Sequence, residues 1–182
     1  MKSIVIMGVA GCGKSSLGAV MARASGLPLV EGDDHHSASN RDKMQSGVPL
    51  TDADRDGWLA TLCEQLRAHP NGVVLTCSAL KAAYRNLLRA GVPALRFVHL
   101  ALGEQEALAR VARRSGHFYP PSLVASQFEA LQDPSGESGV IVMDATRPLD
   151  EVCAQAVRQL LPRIELRPVQ PVSGVKDPEE DT

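Results

Sequence analysis

The chain has 182 residues, of which 44% are hydrophobic, 22% are charged and 3% are aromatic, and its formal net charge is −2. The high hydrophobic fraction and the small net charge exclude an intrinsically disordered chain and argue against a protein that coats nucleic acid. No uncharged run reaches the roughly 18 residues of a membrane span, and the four cysteines, scattered without a CxxC pair, favour a reducing cytoplasm over a disulfide framework or a zinc site.

Short apolar runs alternate with segments of helical periodicity along the chain. Five runs are typical of buried strands, and they lie at residues 4–7, 27–30, 73–76, 95–100 and 140–143. Apolar residues that recur every three or four positions predict helices at residues 17–24, 51–69, 84–88, 104–114 and 149–160. This alternation predicts βαβ units, and therefore an α/β fold with a mostly parallel five-stranded sheet and helices on both faces.

Two segments depart from this alternation. Residues 115–138 contain Pro120-Pro121 and are predicted to leave the sheet as an excursion. Residues 163–182 end in Asp177-Pro178-Glu179-Glu180-Asp181, and this composition predicts a disordered tail. The sequence therefore predicts one domain over residues 1–162.

The first predicted strand is followed at once by a glycine-rich stretch that matches the phosphate-binding pattern G-x-x-x-x-G-K-[ST]. The stretch reads Gly8-Val9-Ala10-Gly11-Cys12-Gly13-Lys14-Ser15, and with Ser16 it is predicted to bind ATP. Glycines let successive N–H groups turn inward around phosphate oxygens, and the helix that follows adds the partial positive charge of its N-terminus. Lys14 is expected to reach the β- and γ-phosphates and the Ser15 hydroxyl to ligate Mg²⁺, whereas Cys12 is expected only to fill space.

Several further stretches resemble one enzyme family. They are Gly32-Asp33-Asp34-His35-His36, residues 43–55 with Trp58-Leu59, Cys77-Ser78-Ala79-Leu80-Lys81-Ala82-Ala83-Tyr84-Arg85, Gly116-His117-Phe118 and Ser126-Gln127-Phe128-Glu129-Ala130-Leu131. Over about residues 3–160 the chain resembles the bacterial gluconokinases. The resemblance implies a three-layer P-loop kinase fold with a lid insertion, related to that of shikimate kinase. It also implies phosphorylation of D-gluconate at the 6-hydroxyl by ATP with Mg²⁺, and a homodimer.

The chain departs from the family pattern close to these stretches. Glu31 stands where an aspartate is usual, and Ser37 and Gly57 each replace a proline. Glu31 keeps the negative charge, and the other two changes affect the rigidity of loops more than the chemistry.

Polar residues follow the second and third predicted strands, at an edge where ligands collect in open α/β sheets. Asp33 is expected to accept the proton of the attacking hydroxyl, and the alternative is a helix N-cap. His36 is expected to bind sugar hydroxyls, or else to lie in a solvated loop. Ser78 and Lys81 are further candidates for binding gluconate, with a helix N-cap as the alternative role of Ser78.

Arginines are the candidates for holding the carboxylate of gluconate, because a guanidinium grips a carboxylate with two parallel hydrogen bonds. We predict this role for Arg55 and Arg85. The alternative is a surface arginine that pairs with a neighbouring acid, and Asp52, Asp54 and Asp56 are available near Arg55.

Arg110 and Arg114 lie one helical turn apart, so both side chains project from the same helix face. The resemblance implies that Arg110 stacks on adenine at the base of a lid and that Arg114 reaches the transferring phosphoryl group. The alternative is a solvated basic face at a helix C-terminus. Residues 115–138 are then the lid, whose closure would exclude water. Within it, His117 and Gln127 could face either ligand or solvent.

The leading function is therefore that of a gluconokinase, with Lys14, Asp33 and Arg114 as catalytic residues. A GTP-binding switch is not expected, because the chain lacks an Asn-Lys-x-Asp motif for guanine. Another small-molecule P-loop kinase of the shikimate type, and a nucleotide-binding regulator without an acceptor substrate, are the alternatives.

Overall fold

The computed structural model describes residues 3–92, 94–113 and 120–161. These residues form the strands β1 (Ile4–Met7), β2 (Leu29–Glu31), β3 (Val74–Thr76), β4 (Arg96–Ala101) and β5 (Val140–Asp144). They also form the helices α1 (Lys14–Ser25), α2 (Ala38–Gln45), α3 (Asp52–Ala68), α4 (Ala82–Gly91), α5 (Glu104–Ala112), α6 (Val124–Ala130) and α7 (Leu149–Leu160). Two short 3-10 turns, Gly32–His35 and Pro121–Leu123, precede α2 and α6.

The strands form one sheet in the order β2-β3-β1-β4-β5, and every neighbouring pair is parallel. β1 is the central strand, with Val5 opposite Leu75 of β3 on one side and Phe97 of β4 on the other. The predicted α/β fold is therefore confirmed, and the described strands are parallel throughout rather than mostly so. Because their carboxyl ends lie at one edge, the loops that follow the strands share that edge.

Apolar side chains cover both faces of the sheet. Successive residues of a strand point to opposite faces. Ile4 and Ile6 of β1 accordingly pack in one core with α1 and α7, whereas Val5 and Met7 pack in another with α3 and α4. This is the three-layer arrangement that the resemblance implies.

Apolar periodicity does not predict helix α2, because only Asn40 and Met44 of its eight residues are buried. A capping bond starts the helix instead: Ser37 Oγ accepts a hydrogen bond from the backbone N–H of Asn40 at 3.1 Å. The Asn40 side chain donates to the carbonyl oxygen of Asp54 at 2.7 Å, which ties α2 to α3. Ser37, where the family pattern has a proline, is therefore the N-cap of α2.

The remaining differences from prediction lie at the ends of elements and in the predicted lid. β2 spans Leu29–Glu31 instead of residues 27–30, and α5 ends at Ala112 instead of residue 114. The second 3-10 turn and α6 occupy part of the segment predicted as a lid. Residues 114–119, which include Arg114 and His117, and residues 162–182, which include the predicted tail, lie outside the described residues. Within the described ranges, no helix has the length and apolar character needed to cross a membrane.

Candidate active site

The loop between β1 and α1, the P-loop, lies at the carboxyl edge of the central strand. Gly8, Gly11 and Gly13 have φ angles of 140°, 80° and 96°, in the region that favours glycine. A Cβ on Gly8 would lie 2.8 Å from the carbonyl oxygen of Leu100, so β4 leaves no room for a side chain there. Helix α1 begins at Lys14, directly after this loop. The loop and the helix N-terminus together have the geometry that phosphate binding requires.

A cleft beside the P-loop, here called the Asp33 cleft, brings together predicted residues from several elements. They are Lys14, Ser15, Asp33, His36, Arg55 and Ser78. Met44, Leu50 and Leu123 also line the cleft and pack against one another as a small apolar cluster. The folded chain thus joins the phosphate-binding loop to the residues predicted for the acceptor.

A second cleft, here called the Arg110 cleft, also borders the P-loop. It shares Gly11 and Gly13 with the Asp33 cleft. Its other polar lining residues are Ser16, Arg110, Arg113 and Arg147. The predicted ATP-binding residues therefore divide between the two clefts. Of the arginines in the second cleft, Arg110 pairs with Glu106 and Arg147 with Glu151.

The end of β2 places a carboxylate beside Ser15. Ser15 Oγ donates a hydrogen bond to Glu31 Oε2 at 3.1 Å, and the Thr76 hydroxyl donates to the same oxygen. Thr76 Oγ1 accepts from the N–H of Gly32 at 3.3 Å. The sequence analysis treats Glu31 only as a charge-conserving departure from the family pattern. Its position at the carboxyl end of a strand is the signal that marks it as a ligand-edge residue.

Asp33 is exposed and lies in the 3-10 turn after β2, whose first residue, Gly32, is buried. Trp58 of α3 holds this turn, because its Nε1 donates a hydrogen bond to the carbonyl oxygen of Gly32 at 2.7 Å. Trp58 is 4% exposed, so it combines core packing with support of the turn. Asp33 caps no helix, since Ser37 is the N-cap of α2. The structure therefore does not support the alternative role of Asp33 as a helix N-cap.

The imidazole of His36 is stacked and largely buried. Its ring lies 4.3 Å from that of Trp58, with 12° between the planes. Burial lowers the pKa of His36 to about 4, so the ring is neutral at pH 7. Its Nδ1 is buried without a hydrogen-bond partner among the described residues. A neutral ring in this place can exchange hydrogen bonds with hydroxyl groups, as predicted for His36.

Arg55 forms no ion pair with any residue of the described chain. Two of the three acids predicted as its alternative partners are engaged elsewhere: Asp54 binds Lys43 at 2.6 Å, and Asp52 binds Lys81 at 2.6 Å. The third, Asp56, forms no ion pair with a described residue. Nη1 of Arg55 donates to the carbonyl oxygen of Leu50, which fixes the side chain in the Asp33 cleft. Its guanidinium therefore lies at the cleft wall without an ion-pair partner among the described residues.

The loop after β3 contributes one of its two predicted residues to the Asp33 cleft. Ser78 lines the cleft, and its carbonyl oxygen accepts from the N–H of Gly8 at 3.3 Å, which ties this loop to the P-loop. Ser78 is not a helix cap, because the N-cap position of α4 is Lys81. Lys81 does not line the cleft, and its Nζ donates to both carboxylate oxygens of Asp52, at 2.6 and 2.8 Å.

The structure corrects the prediction for Arg85. Its side chain is completely buried outside the Asp33 cleft, and its guanidinium donates to the carbonyl oxygens of Ala79, Leu80 and Gln132. The other N–H groups bind the carboxylate of Glu137. Because all five of its N–H groups are used inside the protein, Arg85 has none for a substrate carboxylate. It fixes the loop after β3 to the segment after α6.

Gln127 is a cleft residue for which the sequence leaves the orientation open. It lies on α6 and lines the Asp33 cleft. Its Oε1 accepts a hydrogen bond from the N–H of Ala10 at 2.6 Å, although the two residues are 117 positions apart. Gln127 therefore faces the P-loop.

The chain is similar over most of its length to known proteins. A protein-family profile described as an AAA domain matches residues 4–134. The gluconokinase of Gluconobacter oxydans (strain 621H) is 42% identical over 160 residues, which cover 85% of this chain and 89% of that protein. The chain belongs to the gluconokinase family. Another gluconokinase, the thermosensitive one of Escherichia coli (strain K12), is 39% identical over 164 residues, which cover 86% of this chain and 87% of that protein.

Solved structures agree with membership of the gluconokinase family. A crystal structure of a gluconokinase from Sinorhizobium meliloti 1021 has a TM-score of 0.82 at 44% identity and covers 90% of this chain and 93% of that one. The structure of deoxyadenosine kinase from M. mycoides with bound dATP has a TM-score of 0.63 at 14% identity, which is a likeness of fold alone. These findings confirm the resemblance and the prediction of a P-loop kinase, and they do not favour the shikimate-type kinase or the non-catalytic regulator.

Proposed function

We propose that the chain transfers the γ-phosphoryl group of ATP to the 6-hydroxyl of D-gluconate, giving 6-phospho-D-gluconate and ADP. The observation that carries the proposal is the Asp33 cleft, where a P-loop lysine, a carboxylate and an arginine that pairs with no acid of the described chain line one space. These residues are Lys14, Asp33 and Arg55. Membership of the gluconokinase family supports gluconate as the acceptor.

The Asp33 cleft matches the chemistry of this acceptor. Gluconate is a row of hydroxyl groups that ends in a carboxylate, so its site needs one fixed cation and several neutral hydrogen-bonding groups. Arg55 supplies the cation, because it lines the cleft and forms no ion pair with an acid of the described chain. His36 and Ser78 supply neutral groups that can bind hydroxyls.

Asp33 and Lys14 act directly on the reacting atoms. The 6-hydroxyl oxygen attacks the γ-phosphorus, the bond to the β–γ bridging oxygen breaks, and Asp33 receives the proton of the hydroxyl. Nζ of Lys14 donates to the carbonyl oxygen of Val9 at 3.0 Å, so its charge lies over the P-loop. From there it offsets the negative charge of the β- and γ-phosphates.

The residues beside the P-loop fit a magnesium ion. The Ser15 hydroxyl and the Glu31 carboxylate are oxygen donors 3.1 Å apart, and oxygen is the ligand that Mg²⁺ prefers. When bound with ATP, Mg²⁺ neutralises charge on the phosphate oxygens. Ser15 would ligate the ion, and Glu31 would hold the Ser15 hydroxyl in place.

The nucleotide base is assigned to the Arg110 cleft, which carries Arg110 and Arg113 beside the P-loop. In this cleft Arg110 is proposed to stack on adenine, as predicted. The contact of Arg114 with the transferring phosphoryl group stays a prediction, because Arg114 lies outside the described residues. The homodimer and the cytoplasmic location remain predictions.

A coupled assay of ADP release tests the proposed function. Gluconate, shikimate and nucleoside monophosphates are compared as acceptors, with and without Mg²⁺. We expect turnover with gluconate that requires Mg²⁺ and disappears in the Lys14→Ala variant. Absence of turnover with millimolar gluconate would overturn the proposal. Turnover with shikimate instead of gluconate would indicate a shikimate-type kinase. ATP binding without any turnover would favour a nucleotide-binding regulator.

A further inference from the structure

The carboxamide of Gln127 has a defined orientation. A backbone N–H can only donate, so the side-chain atom 2.6 Å from the Ala10 nitrogen is the oxygen of the carboxamide. The amide nitrogen Nε2 is therefore turned away from Ala10. Its two N–H groups make no hydrogen bond to another residue of the described chain. Gln127 thus brings a pair of neutral donors to the Asp33 cleft.

The backbone beneath Gln127 is firmly placed. Val124, one turn before it on α6, is 1% exposed and belongs to the core that also contains Val111 of α5. Phe128, the next residue, packs against the same core. Leu123, just before α6, packs with the apolar cluster on the wall of the Asp33 cleft. Because α6 is held on both sides, the Gln127 side chain starts from a fixed position.

This donor pair lies in the cleft where the phosphoryl transfer is proposed to take place. Ala10 belongs to the P-loop, and the same cleft contains Lys14 and Asp33. In phosphoryl transfer, charge spreads over the oxygens of the transferring group, and donors already in place stabilise that charge without reorganising. A carboxamide gains and loses no proton at pH 7, so Gln127 can act only through hydrogen bonds.

We propose that Gln127 is a catalytic residue for the transfer: the Ala10 N–H fixes its Oε1, and Nε2 donates a hydrogen bond to an oxygen of the transferring phosphoryl group. This inference rests on the proposed function. Asp33 still receives the proton of the acceptor, and Gln127 changes no covalent bond. The alternative is that Gln127 only ties α6 to the P-loop through Ala10.

The Gln127→Glu variant separates these two roles when kcat and KM for ATP are measured together. Loss of the donor lowers kcat, whereas repulsion between the new charge and the phosphates of bound ATP also raises KM for ATP. A glutamate keeps an oxygen that can accept from Ala10, so the hydrogen bond that ties α6 to the P-loop is retained. It also replaces the donor pair by a second, negatively charged oxygen, so donation to the phosphoryl group is lost. We expect kcat to fall by a factor on the order of 10² at pH 7. Relative to wild type at the same pH, the activity of the variant should recover towards pH 5, because a protonated carboxyl regains one donor.

Gln132→Glu is the matched control. Gln132 also uses Oε1 to accept a backbone N–H, from Ala82 at 2.7 Å, but it does not line the Asp33 cleft. Its substitution makes the same chemical change and should leave kcat within about twofold. Gln127→Met, which loses both the acceptor and the donors, serves as a second variant if Gln127→Glu fails to fold.

The outcomes distinguish this inference from the proposed function. Wild type without gluconate-dependent ADP release contradicts the function. If wild type is active and Gln127→Glu or Gln127→Met keeps kcat within about threefold, the catalytic role of Gln127 is overturned. A loss in Gln127→Glu that is equal at pH 5 and pH 7 also overturns it. Thermal unfolding of each variant shows whether the protein is folded at the assay temperature.

Discussion

Trp58 Nε1 donates a hydrogen bond to the carbonyl oxygen of Gly32 at 2.7 Å, and so joins the core helix α3 to the turn that carries Asp33. The Trp58→Phe variant keeps an aromatic ring beside His36 but removes this donor. We expect the free energy of unfolding to fall by about 1–2 kcal/mol, because a buried carbonyl loses its partner. The gluconate-dependent kcat should also fall, since Asp33 is less firmly held. Denaturant unfolding and steady-state kinetics measure the two effects, and an unchanged kcat would show that the turn does not depend on Trp58.

Replacing Asp33 tests the assignment of the proton acceptor. Asp33→Asn keeps the size of the side chain but removes the carboxylate. We expect kcat to fall by a factor on the order of 10² to 10⁴ while ATP still binds, because only the acceptor hydroxyl needs the base. Asp34→Asn is the control, since Asp34 is the neighbouring acid and does not line the cleft. Equal effects of both substitutions on kcat would contradict the assignment.

Replacing Arg55 tests the contact with the substrate carboxylate. Arg55→Lys keeps the charge and loses the planar pair of donors. We expect KM for gluconate to rise about tenfold, with KM for ATP unchanged, which corresponds to about 1.4 kcal/mol of lost binding. Arg158→Lys on the exposed face of α7 is the matched control, because it makes the same substitution away from the Asp33 cleft. A rise in KM for ATP alone would place Arg55 on the nucleotide instead.

Glu137 links a buried ion pair to stability in acid. Hydrogen bonds from Arg85, and a further one from Arg89, hold the pKa of Glu137 below its usual value. A carboxylate whose pKa is lowered by folding stabilises the protein above its unfolded pKa, near 4.5, and that stability is lost as the pH falls through the folded pKa. Glu137→Gln should therefore lower the free energy of unfolding at pH 7, by on the order of 3 kcal/mol, because it leaves the Arg85 charge buried.

The same variant checks two further consequences. Below about pH 4.5, Glu137→Gln should lose less additional stability than wild type, because the titrating carboxylate is gone. KM for gluconate should stay unchanged at pH 7, because Arg85 does not line the Asp33 cleft. Denaturant unfolding from pH 7 to pH 3 and a gluconate titration provide both measurements. A large rise in KM for gluconate would instead indicate that Arg85 contributes to the substrate site.

His36 gives stability a second dependence on pH. Its pKa falls from 6.5 to about 4 on folding, so the unfolded chain binds more protons between these values. The free energy of unfolding should therefore rise with pH from about 4 to 6.5. His36→Phe, which keeps a ring to stack on Trp58, should make this rise shallower. The remainder comes in part from His99, whose pKa burial also lowers. Unfolding at pH 5 and pH 7 measures the slope, and a slope equal to that of wild type would contradict the assignment.

Local features of the chain were predictable, because they depend on residues close in sequence. The pattern that ends in Lys14 and Ser15 places a phosphate site after β1, and the structure has a glycine-rich loop and a helix N-terminus there. Strand–helix alternation likewise predicts the parallel sheet. Helix α2 was not predictable from apolar periodicity, since its start is fixed by the Ser37 cap and not by a buried stripe.

Contacts between distant segments were not predictable in the same way. Arg55 and Arg85 look alike in the sequence, yet Arg85 meets Glu137, 52 positions away, and is used entirely inside the protein. The sequence around Arg85 contains no pattern that predicts Glu137 as its partner. The bond between Gln127 and Ala10 is equally remote. The folded arrangement, and not the residue type, decides which polar side chains are free for a ligand.

The central position of β1 has a consequence for how the protein loses activity on heating. Val5, Ile6 and Met7 are 0% exposed, and β1 has a hydrogen-bonded strand on either side. Its amide protons should therefore exchange with solvent only when the whole domain opens. The P-loop extends directly from this strand. ATP binding should thus vanish together with the fold in a thermal melt, with no earlier step in which the loop alone comes apart.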